Sequence, residues 1–217
     1  MYAAGGAIPR LWTRIGWQHS WVGHEFTSCP LHGQRENHMI EIRLHGRGGQ
    51  GSVTAAELLA VAAFDDGKEA QAFPAFGVER RGAPVMAFCR ISDQPIRVRS
   101  QIYEPDYVIV QDATLMESVN VLAGLKPTGT VLINSERSAA ELGLKTSARV
   151  VTFPASQIAV EEIGRPIMNT AILGAFSKLS GQISLDAIER SIRHRFRGEL
   201  GDRNIRAAQR AYEAIRE

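Results

Sequence analysis

The sequence predicts an α/β fold of three layers, α/β/α, on a Rossmann-like mixed sheet that is mostly parallel, carries an antiparallel hairpin and leads into a helical C-terminal region. Three observations predict it. From Met39 onward strand-like and helix-like segments alternate, the pattern of helices packed on a largely parallel sheet. A glycine-rich turn, Gly46 to Gly51, joins the first strand to the first helix, and beyond Pro154 the strand signals stop. With 217 residues, 44% of them hydrophobic and 22% charged, the chain can bury one sizeable core and is short for two.

Taken in order, Ile40 to His45 is a first strand, and Ser52 to Phe64 a first helix with Ser52 placed to cap it. The helix's apolar residues Val53, Ala56, Leu59, Ala60 and Ala63 recur at three and four residues and so share a face. Lys68 to Phe73 reads as a short strand. Val85 to Ile91 and Pro95 to Val98 read as two strands joined by a tight Ser92-Asp93-Gln94 turn, which supplies the antiparallel hairpin. Tyr107 to Val110 is a buried strand ending in Asp112, and Leu115 to Leu125 is helical, stopped by Gly124 and Pro127. Thr130 to Ile133 and Arg149 to Phe153 are further strands, with a short helix from Ser138 to Leu142 between them. In the helical region Ile167 to Leu179 is apolar nearly all round, so it is buried either in this chain or against another. Ser184 caps the next helix, whose Asp186 in the first turn and Arg193, His194 and Arg195 in the last match the helix dipole. A polar helix runs from about Asp202 to Ile215.

The first 38 residues differ in character, holding all three tryptophans (Trp12, Trp17, Trp21) and four of the six histidines (His19, His24, His32, His38). They read as a poorly ordered N-terminal extension preceding a domain at 39–217, with Met39 as a candidate start because a strand begins at once after it. Arg10, Arg14, Gln18, His19 and His24 interrupt any apolar run, and no segment elsewhere reaches transmembrane length. No pair of these histidines has the spacing of a known ligand motif, so no metal site is expected. Cys29 and Cys89 cannot make a disulfide framework or a four-cysteine cluster site, and a reducing cytoplasm fits them. A formal net charge of +2 gives no concentrated basic stripe, and no nucleic-acid role is inferred.

Gly46-Arg47-Gly48-Gly49-Gln50-Gly51 satisfies the G-x-G-x-x-G spacing in the strand-to-helix setting that motif requires. Glycines let the backbone turn tightly and approach a ligand, while N–H groups at a helix start point toward an anion. A nicotinamide dinucleotide would also need an acidic residue about 20 positions further on, at the end of the second strand. The chain has Gln71, Ala72 and Phe73 there, and Asp65 and Asp66 fall in the turn after the helix, so NAD is not expected. Two readings of the loop stay open: close packing or a subunit interface, and a phosphate cradle. A second string, Gln71 to Pro84, combines two aromatics, prolines, glycines and an acid beside two arginines, a mix too rigid and too charged for an idle linker.

Together, His45 to Gly51 running into Thr54-Ala55-Ala56-Glu57-Leu58-Leu59, then Gln71-Ala72-Phe73-Pro74, and Glu79-Arg80-Arg81-Gly82-Ala83-Pro84-Val85 are similar to the gamma subunit of pyruvate and 2-ketoisovalerate ferredoxin oxidoreductases, in the 2-oxoacid:acceptor oxidoreductase family. Asn169 to Ala175 resembles that family's helix as well, and the resemblance spans 39–217 in the same order. Related chains of indolepyruvate and 2-oxoglutarate enzymes share the glycine loop but tend to differ at the second motif. The resemblance implies a complex that converts pyruvate, CoA and oxidised ferredoxin to acetyl-CoA, carbon dioxide and reduced ferredoxin, or the equivalent for another 2-oxoacid. It implies thiamine diphosphate, Mg and 4Fe–4S clusters on alpha, beta and delta-type partner subunits, ferredoxin or flavodoxin as acceptor, and no thiamine or cluster site here. No catalytic residue is assigned to this chain. Gly46, Arg47, Gly48, Gly49, Gln50, Gly51, Ser52, Phe73, Pro74, Glu79, Arg80, Arg81 and Gly82 are the candidates to face CoA phosphates or a neighbouring subunit. The competing readings are a free-standing Rossmann-type nucleotide-binding module and a purely structural interface subunit.

Overall fold

The computed structural model describes residues 39–75 and 80–216, so the expectations for residues 1–38 and for Glu79 lie outside the described residues. Six strands form one sheet: β1 (Ile40–Arg47), β2 (Glu69–Pro74), β3 (Pro84–Ser92), β4 (Tyr107–Val110), β5 (Thr130–Asn134) and β6 (Arg149–Phe153), in the order β2-β3-β1-β4-β5-β6. β1, β4, β5 and β6 run parallel, while β3 is antiparallel to both β1 and β2. The sheet is therefore mixed, as expected, but its hairpin is β2–β3. Pro95 to Val98 is not a strand. β2 and β1 already occupy both edges of β3, which leaves no backbone partner for that segment.

The helices are α1 (Ser52–Asp65), α2 (Ala139–Leu142), α3 (Ala155–Ile163), α4 (Asn169–Ser180), α5 (Leu185–Arg195) and α6 (Gly198–Ala214), the last starting earlier than its polar pattern suggested. Strand alternation divides the core. Ile42, Leu44, Ile109 and Leu132 point into the large helical layer, where Leu58 and Leu59 of α1, Phe176 of α4 and Ile188 and Ile192 of α5 are buried. Val108, Val110, Val131 and Ile133 point the other way, into a smaller cluster with Leu115 and Val121. That thinner layer corrects the expected helix at 115–125: only a 3₁₀ turn, Ala113–Glu117, forms before the chain breaks into turns. The buried Arg43 of β1 favours the break, because its guanidinium donates to the carbonyls of Val121 at 3.0 Å, which a continuous helix would have paired with Leu125, and of Ala123 at 2.6 Å.

α4 is buried nearly all round, and within this chain, which settles where its apolar surface goes. It crosses α6 so closely that a Cβ on Gly174 would overlap the Ala208 carbonyl oxygen, and Thr170 Oγ1 donates to Asn204 Oδ1 at 2.8 Å across the same contact. Ser184 caps α5 as expected, accepting from the Ala187 N–H. Asp66 reinforces that cap by accepting from the Ser184 N–H and hydroxyl at 2.6 and 2.8 Å. One acid near the first helix is thereby committed at the end of α1 opposite to the glycine loop.

The order of strands places a topological switch between β1 and β4: the chain leaves β1 toward β3 on one side, and β4 opens the other half. The crevice at the C-terminal ends of these two parallel strands is where open α/β sheets place their ligand-facing groups.

Candidate functional site

Two segments far apart in sequence meet at that crevice. The end of β1 runs through Gly48 to Gly51 into α1, and Arg80 to Ala83 lies along it. Gly48 N–H donates to the Ala83 carbonyl at 2.9 Å and Gly82 N–H to the Gly48 carbonyl at 3.0 Å, with a parallel bridge between Gly48 and Arg81. Gly48 is glycine because of this contact: a Cβ there would overlap the Arg80 carbonyl oxygen. Gly51, at φ +79°, caps α1 in the left-handed conformation, which favours glycine. Ser52 is not the cap that its position suggested. Its hydroxyl donates instead to Gln111 Oε1 at 2.6 Å, and no side chain caps the helix.

Charge at the crevice is internally balanced. Arg47 Nε lies 2.9 Å from Asp112 Oδ2, its Nη2 donates to Thr114 Oγ1 at 2.8 Å and its Nη1 to the Gly82 carbonyl at 3.1 Å. Gln50 donates to the same Asp112 oxygen at 3.1 Å while its own Oε1 accepts from the Arg47 N–H at 2.7 Å. Burial works to raise the Asp112 carboxyl, but hydrogen bonds from Thr114, Gln50 and Arg47 together outweigh it and hold the group below its ordinary value. Asp112 therefore stays ionised and Arg47 stays engaged with it. By contrast Arg80 and Arg81 are exposed, and neither has an ion-pair partner among the described residues. A cavity of about 230 Å³ opens at the glycine loop, lined by Arg47, Gly48, Gly49, Val85 and the start of α1 from Gly51 to Thr54. The uncapped N–H groups of that first turn border it.

With this geometry in view, the chain can be compared with known proteins. A family model described as pyruvate ferredoxin/flavodoxin oxidoreductase matches residues 41–214. The chain belongs to that family. It is 59% identical over 174 residues to the pyruvate synthase subunit PorC of Methanocaldococcus jannaschii, covering 80% of this chain and 96% of that one. It is 54% identical over 178 residues to the common gamma subunit of the pyruvate/ketoisovalerate oxidoreductases of Pyrococcus furiosus, covering 81% and 96%. The crystal structure of pyruvate oxidoreductase subunit PORC from Thermotoga maritima superposes with a TM-score of 0.73 at 40% identity, covering 81% of this chain and 96% of that one. The protein is a gamma-type subunit of a 2-oxoacid:ferredoxin oxidoreductase, one part of a multi-subunit enzyme rather than a complete one.

Within this family member, the candidate residues fall into three groups. Gly46 to Ser52 and Arg80 to Gly82 come together at the crevice. Phe73 and Pro74 do not: they lie in β2, where Phe73 packs on Phe88 with ring centroids 5.1 Å apart and under the Arg90 guanidinium at 5.4 Å. Glu79 lies outside the described residues. Sequence reasoning missed Gln111 and Thr114 and gave Asp112 no role beyond ending a strand. The local signal was present, since Asp112 Oδ1 accepts from the Thr114 N–H at 3.0 Å in an Asx-type turn that an Asp-x-Thr string favours. Nothing local pointed from Asp112 to Arg47, 65 residues away.

The residues here do not suit an iron–sulfur or metal centre. Among the described residues no group of three or more His, Cys, Asp or Glu could hold a metal ion. Cys89 is fully buried in β3, and burial pushes its thiol up to about 12, which removes it from thiolate chemistry at neutral pH. Among those residues no helix is long and apolar enough to cross a membrane.

Proposed function

We propose that this gamma subunit completes a cytoplasmic pyruvate:ferredoxin oxidoreductase, with alpha, beta and delta-type partners that hold thiamine diphosphate and the iron–sulfur clusters. The paired loops at the β1/β4 crevice form its junction with those partners. The observation that carries this reading is the backbone docking of Arg80–Ala83 onto the glycine loop, which fixes the direction of two arginines that have no ion-pair partner among the described residues. Such guanidiniums suit either carboxylates of a neighbouring subunit or the phosphates of CoA. Arg47 is the weaker candidate for either task because Asp112 already neutralises it. Pyruvate rather than another 2-oxoacid is favoured by the relatives' names, and the name of the Pyrococcus furiosus relative extends the range to ketoisovalerate.

A free-standing dinucleotide-binding module fits less well. The second strand, which would carry the ribose-binding acid, is an antiparallel edge strand with Gln71, Ala72 and Phe73, and Asp66 is committed to the cap of α5. The decisive experiment reconstitutes the complex with Arg80→Ala and Arg81→Ala. The expected result is a raised KM for CoA or a weakened assembly, with thiamine-dependent decarboxylation of pyruvate intact. An intact complex with unaltered CoA kinetics in both variants would overturn the proposal.

A further inference from the structure

A second cavity, of about 460 Å³, lies among the ends of the helical layer and shares only Thr54 with the first. Its apolar lining comes from Ile163, Ile167, Phe196 and Leu200. Three arginines, Arg165, Arg195 and Arg203, line it as well. Arg203 is paired with Glu199, whereas Arg165 and Arg195 are exposed and have no ion-pair partner among the described residues. The first turns of α1, α4 and α6 (Thr54, Asn169 and Leu200) line the cavity, and so do the last residues of α3 and α5 (Ile163 and Arg195), so helix ends of both polarities meet there and the net positive charge comes from the arginines.

Asn169 gives an independent indication. It opens the Asn-Thr-Ala-Ile-Leu-Gly-Ala string and is 5% exposed, yet lines the cavity. Its Oδ1 accepts from the Thr170 N–H at 2.9 Å, while its amide nitrogen has no acceptor among the described residues. The side chain is largely buried, but its amide nitrogen is not sealed from solvent, so in the cavity a ligand oxygen would take the place of water as its acceptor. The arginines and this donor favour an anion, and the aliphatic and aromatic lining favours a carbon chain attached to it.

From this we infer that the cavity is a binding site for an aliphatic carboxylate, its head held by Arg165, Arg195 and the Asn169 amide and its tail against Ile163, Ile167 and Phe196. The inference does not rest on what the glycine loop binds, although the Asn169 amide nitrogen packs against Gly51 and Thr54 lines both cavities.

Isothermal titration of the full chain with hexanoate tests it, with acetate as head alone and hexanamide as uncharged tail. Saturable hexanoate binding is expected, with acetate and hexanamide each weaker by about tenfold or more. Arg165→Gln and Arg195→Gln should each weaken hexanoate by about tenfold, a difference of about 1.4 kcal/mol, while Arg193→Gln, outside the cavity, leaves it unchanged. Both arginines are exposed, so the variants keep the fold. Equal affinity for hexanoate and hexanamide, no saturable binding, or insensitivity to both cavity variants would overturn the site. The same titration on the assembled complex is expected to retain binding. Loss of binding there would mean that a partner segment fills the cavity, which would also overturn it.

Discussion

His45 lies on the inner face of the central strand with its Nε2 accepting from Arg43 Nε at 3.1 Å, so its imidazole is neutral where it stands. Burial and then the Arg43 charge lower its pKa to about 3. Because the unfolded chain binds the proton near pH 6.5 and the folded chain does not, the stabilisation is complete above that value and is lost as pH falls toward 3. The chain should therefore lose about 2 kcal/mol of stability between about pH 7.5 and about pH 5 from this residue alone. His45→Gln, which keeps an acceptor for Arg43 but does not titrate, should flatten that slope in urea titrations; an unchanged slope would mean that another group sets it. Gly48 gives a second prediction at this scale. Gly48→Ala must push the Arg80 carbonyl away and loosen both backbone bonds of the docked loop, at a cost of about 1–3 kcal/mol. Faster hydrogen exchange at the Gly48 and Gly82 amides is the expected sign. Gly49→Ala, with φ +98° but no neighbour in its way, should cost conformational strain and leave the loop docked.

Elements were legible where one local signal decided them, and obscure where a distant residue did. β1, β4, β5 and β6 are short apolar runs between turn signals, and each lies where its pattern placed it. Ser138 with Glu141 forms a complete capping box, a signal contained in four residues. The segment 115–125 carries an apolar pattern compatible with a helix, but Arg43, distant in sequence on β1, takes two of its carbonyls. Likewise Ser52 has the residue type of an N-cap, yet its hydroxyl is drawn to Gln111. The glycines of the loop were legible as a turn; that Gly48 exists to admit the Arg80 backbone was not. α4 shows the same division, since its all-round apolarity announced burial while its tight crossing with α6 requires the missing side chain of Gly174. Gly174→Val should therefore cost about 3 kcal/mol or more, outweighing any gain in helix propensity, as a lower midpoint in chemical denaturation.

At the scale of the whole molecule, the described residues of both core clusters run from Ile40 to Ile215. The apolar helix α4, which from sequence could have been reserved for another chain, is covered by α6 and α5. Among the described residues the large hydrophobics that remain exposed include Val61 and Phe64 on α1, Tyr103 and Val160 elsewhere, and Ile167 and Leu200, which both line the second cavity. A domain that buries α4 and most of its described apolar residues within itself is expected to fold without partners to hide its core. Residues 39–217 alone should then unfold in one cooperative urea transition, with the midpoint and slope of the full chain, since the slope follows the surface buried on folding. The same fragment should replace the full chain in a reconstituted complex, because the matched family region, 41–214, lies inside it. Circular dichroism across the urea titration and CoA-dependent pyruvate oxidation by the reconstituted enzyme check the two halves of this prediction separately. A fragment that unfolds at lower urea would place part of the stabilising contacts in residues 1–38, whereas a stable fragment that fails to assemble would place a partner contact there.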